Sequence, residues 1–224
     1  DSIRKNLMNP ECSGPDIVYS IAMDVGNLED RPAMLERNLL YGTVTYAKGQ
    51  LGREPVRSQG HIHAISPSCG SSTCELYEIW SGSACIYMQE TAQDNPGRCF
   101  AVMAKAGETV IVPPGWAHCT IVADTEQNMT FGAWCVRDFG FDYTDVRKHG
   151  GVAWFPVVEN KELQFVKNPQ YTTERVIVKS PRLYTEFGLE AGKPIYTQFQ
   201  EDPDRFLFVS KPQTASKLWL NFIP

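Results

Sequence analysis

The sequence predicts an all-β chain, a barrel or sandwich of which the double-sheet jelly roll is one form. Three observations carry this. Short runs rich in β-branched and aromatic residues recur between Leu40 and Val136. Turn signals separate them, among them Ser81-Gly82, Asp94-Asn95-Pro96-Gly97, Ala106-Gly107-Glu108 and Pro113-Pro114-Gly115. Close spacing of this kind is the mark of sandwiches and barrels.

Taken in order, Ile17–Met23 reads as a strand, and Asp30–Arg37 as a short helical turn with Pro32 near its start. Tyr41–Tyr46 has strand composition and runs into a Gly-containing turn at Gly49–Gly52. Strands are then expected at His61–Ile65, Cys74–Trp80, Ala84–Gln89, Phe100–Lys105, Thr109–Val112, His118–Val122 and Thr130–Val136. Ala64–Cys74 is a loop rich in Ser and Gly, read as a tolerated surface insertion in preference to a mobile flap. After Thr172 the character changes. Val176–Lys179 is strand-like, proline punctuates the rest of the tail, and Phe206–Val209 and Leu218–Phe222 are apolar enough to be buried. The expected division is N-terminal strands over residues 1–40, a barrel over 41–171 and a C-terminal extension over 172–224.

At 224 residues, 42% apolar, 11% aromatic and 21% charged, the chain has ordinary globular composition. A net charge of −5 and a pI near 5.4 argue against a nucleic-acid surface. No run is long enough to span a bilayer, and Asp1–Lys5 lacks the apolar stretch of a signal peptide. The start also lacks an initiator methionine, so trimmed upstream residues are expected. Seven scattered cysteines, an odd number, suit a reduced cytoplasmic setting better than a disulfide framework.

Three of the four histidines stand in two segments: Gly60-His61-Ile62-His63, followed by Glu75, and Gly107 through His118. On a strand, side chains at i and i+2 share a face, so His61 and His63 reach into one barrel. His118 arrives from a distant strand and Glu75 supplies an oxygen. Three imidazoles and one carboxylate suit one divalent ion such as Fe, Mn, Ni or Zn, with positions left open for substrate. Glu78 has the opposite parity and should point away. Tyr77 shares the face of Glu75, suiting core packing or substrate contact. Trp116 and Trp134 read as core, Gly115 as a tight turn, and His149, beside Arg147 and Lys148, as a solvated loop residue.

The second segment matches the second signature of the cupin superfamily: Gly107, five residues, Pro113, any residue, Gly115, two residues, His118. The first is matched in part by His61-x-His63, Glu75 and Gly82, with Pro55 where glycine is expected and a longer spacer before Glu75. More closely, about Asp16 to Tyr171 resembles the cupin-type phosphoglucose isomerases of archaea and some bacteria. The resemblance rests on Gly60-His61-x-His63, Glu75-Leu76-Tyr77, Val112-Pro113-Pro114-x-Trp116-Ala117-His118, Gly140-x-Asp142-Tyr143 and Asn168-Pro169.

That resemblance implies a cupin jelly-roll barrel with His61, His63, Glu75 and His118 as metal ligands. It implies Thr43, Ser58 and Gly60 as holders of a sugar phosphate, and Tyr77 and Tyr143 in the substrate cavity. A family tyrosine falls on Cys135, and a family histidine on Phe141. The expected activity is metal-dependent interconversion of glucose 6-phosphate and fructose 6-phosphate, or of a closely related sugar phosphate. Glu75 is the expected proton shuttle, with a metal-assisted hydride shift as the alternative. No Walker-type loop is present, so the phosphate is a handle. The runner-up is a mononuclear metal dioxygenase, since the same ligand set serves cupin oxygenases; a third reading is a non-catalytic sugar-phosphate-binding cupin. No nucleic-acid or membrane partner is expected. The family habit and the apolar tail favour a homodimer.

Overall fold

The computed structural model describes residues 3–224; Asp1 and Ser2, at the head of the expected N-terminal segment, lie outside them. The strands are β1 (Tyr19–Met23), β2 (Leu39–Tyr46), β3 (Gln50–Leu51), β4 (Glu54–Pro55) and β5 (Ile62–His63). Then come β6 (Glu75–Ser81), β7 (Ser83–Gln89), β8 (Cys99–Lys105), β9 (Thr109–Val112) and β10 (Ala117–Val122). The last are β11 (Met129–Val136), β12 (Phe141–Asp142), β13 (Trp154–Glu159), β14 (Glu162–Lys167) and β15 (Ile177–Lys179). Short helices are interspersed: α1 (Arg31–Glu36), α2 (Thr144–Lys148), α3 (Ile195–Glu201), α4 (Leu207–Ser210) and α5 (Ser216–Trp219).

Two sheets face each other. One has the order β1-β2-β11-β6-β9, the other β10-β7-β8-β15. All pairings are antiparallel except β15 on β8. Their inner faces meet in one apolar core that includes Tyr77, Ile79, Ile86, Val102, Val110 and Phe131. This is the two-layer solution expected of short alternating strands, and it makes the chain mostly β.

Outer faces are covered as well, which explains why the central strands read as continuous apolar runs. Leu76, Ile111 and Trp134 point outward from the five-stranded sheet, against Tyr184, Phe199 and Phe206 of the tail. The other sheet turns Tyr87, Ala101 and Ile121 outward, toward Val146, Val152 and Tyr171. Phe206, Phe208, Val209 and Phe222 are buried as the sequence predicts, but Leu220 is 73% exposed. The β13–β14 hairpin and the tail helices have no counterpart among the sequence-based expectations.

His149 is a correction. It is buried: its Nδ1 sits 2.7 Å from the Asp145 carbonyl, its Nε2 2.9 Å from Asp94 Oδ1, and its ring stacks on Tyr171. The loop between β5 and β6 is tied down too. Asp138 accepts from Ser66 Oγ and from the Ser68 N–H, at 2.8 and 2.9 Å.

Candidate metal centre

The segment Arg57–His61 is irregular, yet it runs beside β10 through two isolated bridges, Arg57 with Ile121 and His61 with His118. The His61 N–H donates to the His118 carbonyl (3.1 Å), and the His118 N–H returns the bond (2.9 Å). Residues paired this way project side by side, and the two rings lie 4.5 Å apart. His63, two residues on, brings its ring within 5.0 Å of His118. Glu75 opens β6 opposite Val112, the residue before the turn that leads to His118. That turn needs Gly115, whose φ of 79° is left-handed; its N–H donates to Ser72 Oγ.

The four side chains offer ligand atoms that all lie within 4.8 Å of one another, so they could hold a metal ion. Two further observations fit one. His61 Nε2 and His118 Nε2 are buried without a hydrogen-bond partner among the described residues, a costly arrangement unless a cation takes the lone pairs. The opposite ring nitrogens of two ligands are occupied: His63 Nδ1 lies 3.0 Å from the Thr73 carbonyl and His118 Nδ1 3.1 Å from the Trp116 carbonyl. Such outer contacts fix the tautomer and aim Nε2 at the ion. Glu75 Oε2 stands 3.3 Å from His63 Nε2 and 3.5 Å from His118 Nε2, and it accepts from the Tyr77 hydroxyl at 2.8 Å.

Protonation states also suit. Burial lowers His61 well below the usual histidine range, and His118 and His63 lower it further. Burial lowers His118 as well, with Glu75 pulling the other way. Burial alone would raise Glu75, but the facing His118 and His63 rings outweigh it and hold the carboxyl below its usual range. Neutral imidazoles and an ionised carboxylate are the forms that bind metal.

His61, His63 and Glu75 line a cavity of about 110 Å³, with His118 behind them. Ser58, Tyr77 and Tyr143 line it; Thr43 and Gly60 do not. Thr43 pairs with Ala22 and Gly132, on the face opposite Val44, and its Oγ1 donates to the Phe131 carbonyl. Register, which the sequence leaves open at this position, turns it away. Gly60 has a φ of +91°, and a Cβ there would meet Val152 at 2.9 Å, so it serves backbone conformation and packing under α2. Ser58 Oγ accepts from the Thr120 N–H (3.0 Å). Cys135 and Phe141 also line the cavity, the latter with its ring 4.3 Å from that of His61. Glu78 is buried on the opposite face, where its carboxylate accepts the Ile195 N–H at the start of α3.

Sequence reasoning missed several participants. The Thr73 and Trp116 carbonyls act through backbone, which leaves no side-chain signal. Gln59, Tyr19 and Phe139 line the cavity; Gln59 lies in irregular chain, where alternation gives no guide. Tyr143 is raised by burial, with Gln59 and the charge of Arg147 opposing.

Comparison with known proteins places these features in a family context. The glucose-6-phosphate isomerase (GPI) family matches residues 5–174. The glucose-6-phosphate isomerase of Thermococcus gammatolerans is 28% identical over 137 residues, covering 61% of this chain and 67% of the relative. That of Pyrococcus furiosus is 28% identical over 136 residues (61% and 66%), and that of Sinorhizobium medicae 28% over 138 (61% and 56%). The chain thus spans about two thirds or less of the length of these relatives. Among solved structures, an oxalate oxidase in complex with the substrate analogue glycolate overlays with a TM-score of 0.42 at 13% identity, covering 59% of this chain and 58% of that one.

Proposed function

The chain belongs to the glucose-6-phosphate isomerase (GPI) family, and we propose that it is a metal-dependent aldose–ketose isomerase interconverting glucose 6-phosphate and fructose 6-phosphate. The observation that carries this is the convergence of the ligand atoms of His61, His63, Glu75 and His118 within 4.8 Å of one another beside the cavity, with two imidazole nitrogens lacking a hydrogen-bond partner among the described residues. The residues that would hold the ion are those four. When bound, a divalent ion supplies polarisation of the sugar's C1 and C2 oxygens. Glu75 moves the proton from C2 to C1 through its carboxylate, a step typically contributing ~10²–10⁴-fold. Tyr77 fixes that carboxylate by donating to Oε2. Ser58 and Tyr143 face the substrate. Residues 41–171 form the catalytic barrel, and strands β1 and β15 from the flanking segments 3–40 and 172–224 extend its two sheets. Seven free cysteines support a cytoplasmic setting, and the solvent-exposed edge strand β1 supports a homodimer. Among the described residues, no helix is long and apolar enough to cross a membrane.

One observation favours a second reading. Ile21, Met23, Val44, Phe131, Phe139 and Phe141 make much of the cavity apolar, which would suit a mononuclear metal dioxygenase. A coupled isomerase assay over a panel of sugar phosphates, with Fe, Mn, Ni or Zn in an oxygen-electrode cell, separates the two. Interconversion without oxygen uptake is expected. Oxygen consumption without interconversion, whatever the ion, would overturn the isomerase reading.

A further inference from the structure

Accepting that isomerase reading, we infer that Arg147 is the cation that anchors the substrate's phosphate at the cavity mouth. A phosphate monoester carries roughly 1.5 to 2 negative charges at neutral pH, and withdrawing it from water without donors is costly. The described residues lining the cavity include no lysine or arginine, and the only carboxylate among them, Glu75, would repel an anion. The hydroxyls of Ser58 and Tyr143 supply donors but no charge.

Nearby arginines are already committed. Arg57 is fully buried against Glu54. Arg137 grips Asp24 with both Nη atoms. Arg147 differs. It is exposed on α2, its guanidinium carbon stands 4.5 Å from the centre of the Tyr143 ring, and its Nε and Nη2 reach Gln59 Oε1 at 3.3 and 3.1 Å. Both partners line the cavity and both are uncharged, so the positive charge stays uncancelled by them. Gln59 is itself held by Asn6 Nδ2 at 2.8 Å, so its end of the cradle is fixed. With Gln59 occupying one edge of the guanidinium, the remaining N–H groups stay free for two parallel bonds to phosphate oxygens. The Tyr143 and His61 rings are 5.8 Å apart. A six-carbon open chain can therefore place its C1–C2 end at the ligand cluster and its terminal phosphate at Arg147.

The test compares wild type with Arg147→Gln and Arg147→Lys, all metal-loaded. Kinetics with fructose 6-phosphate are paired with calorimetric titration of inorganic phosphate. Arg147→Gln should raise KM and weaken phosphate binding about tenfold or more, the scale of one charge-assisted hydrogen bond. The kcat value should move little, metal content should stay unchanged, and Arg147→Lys should restore part of the binding. Unchanged KM and phosphate affinity in an active Arg147→Gln variant would overturn the assignment alone. So would loss of metal or a matching fall in kcat, which would mark a structural role. Should wild type turn over no sugar phosphate yet bind inorganic phosphate in an Arg147-dependent manner, the anion site would stand and the isomerase reading would fall.

Discussion

Trp134→Ala should cost the protein about 3–5 kcal/mol of stability while leaving metal binding intact. Trp134 is fully buried. Its ring centre lies 4.4 Å from that of Phe199, 4.7 Å from Tyr41 and 5.6 Å from both Tyr196 and Phe206. Burying an aromatic side chain of about 250 Å² at ~25 cal/mol per Å² gives roughly 6 kcal/mol, an upper bound because the unfolded chain already hides part of that area. Trp→Ala substitutions in cores cost about 3–5 kcal/mol, consistent with the discounted figure. Since native stability is only about 5–15 kcal/mol, the tail should also become protease-sensitive under mild conditions. Its strand neighbours Ala133 and Cys135 face the other way, toward core and cavity, so elemental analysis should find the metal still bound. Urea unfolding of wild type, Trp134→Ala and Trp134→Phe provides the measurement, with phenylalanine recovering most of the loss. A cost below about 1 kcal/mol, or metal loss as complete as a ligand deletion gives, would show that the two faces of this sheet are not energetically separate.

His61→Ala or His118→Ala should strip most of the metal, and unchanged elemental content in either would refute the ligand assignment. Glu75→Gln should retain some metal but lower isomerase kcat by ~10²-fold or more; near-normal turnover would remove it as the proton shuttle. Asp24, gripped first by hydrogen bonds from Arg137 and then by Arg31, is lowered to about 2 from an ordinary 3.8. With the folded value below the unfolded one, its stabilisation is complete above about pH 4 and disappears as pH falls toward about 2. Asp24→Asn should therefore flatten that acid limb, by about 1 kcal/mol after solvent screening; an unchanged limb in thermal melts would contradict the pairing.

The sequence exposed what depends on side-chain type at short spacing. His61, His63, Glu75 and His118 stand out because metal ligation restricts residue choice, and strand parity alone separated Glu78 from Glu75 and Tyr77. It hid whatever depends on partners far along the chain. His149 is buried by Asp94 and Tyr171, residues that no local pattern links to it. The outward turn of Thr43 comes from its register with Ala22 and Gly132. Helices of four to seven residues in the tail are too short to show a repeating apolar stripe. Pro156 stands within β13, where proline demotes a strand assignment.

Six of the seven unpaired cysteines are buried, spread through every layer, and Cys69 is half-exposed in the loop beyond β5. A thiol-labelling time course resolved residue by residue would therefore act as a set of internal clocks. Cys69 would report the surface at once. Cys74 would date the parting of the tail from its sheet, and Cys85 and Cys119 the exposure of the opposite layer. The order in which the molecule comes apart is thus readable without introducing a single probe.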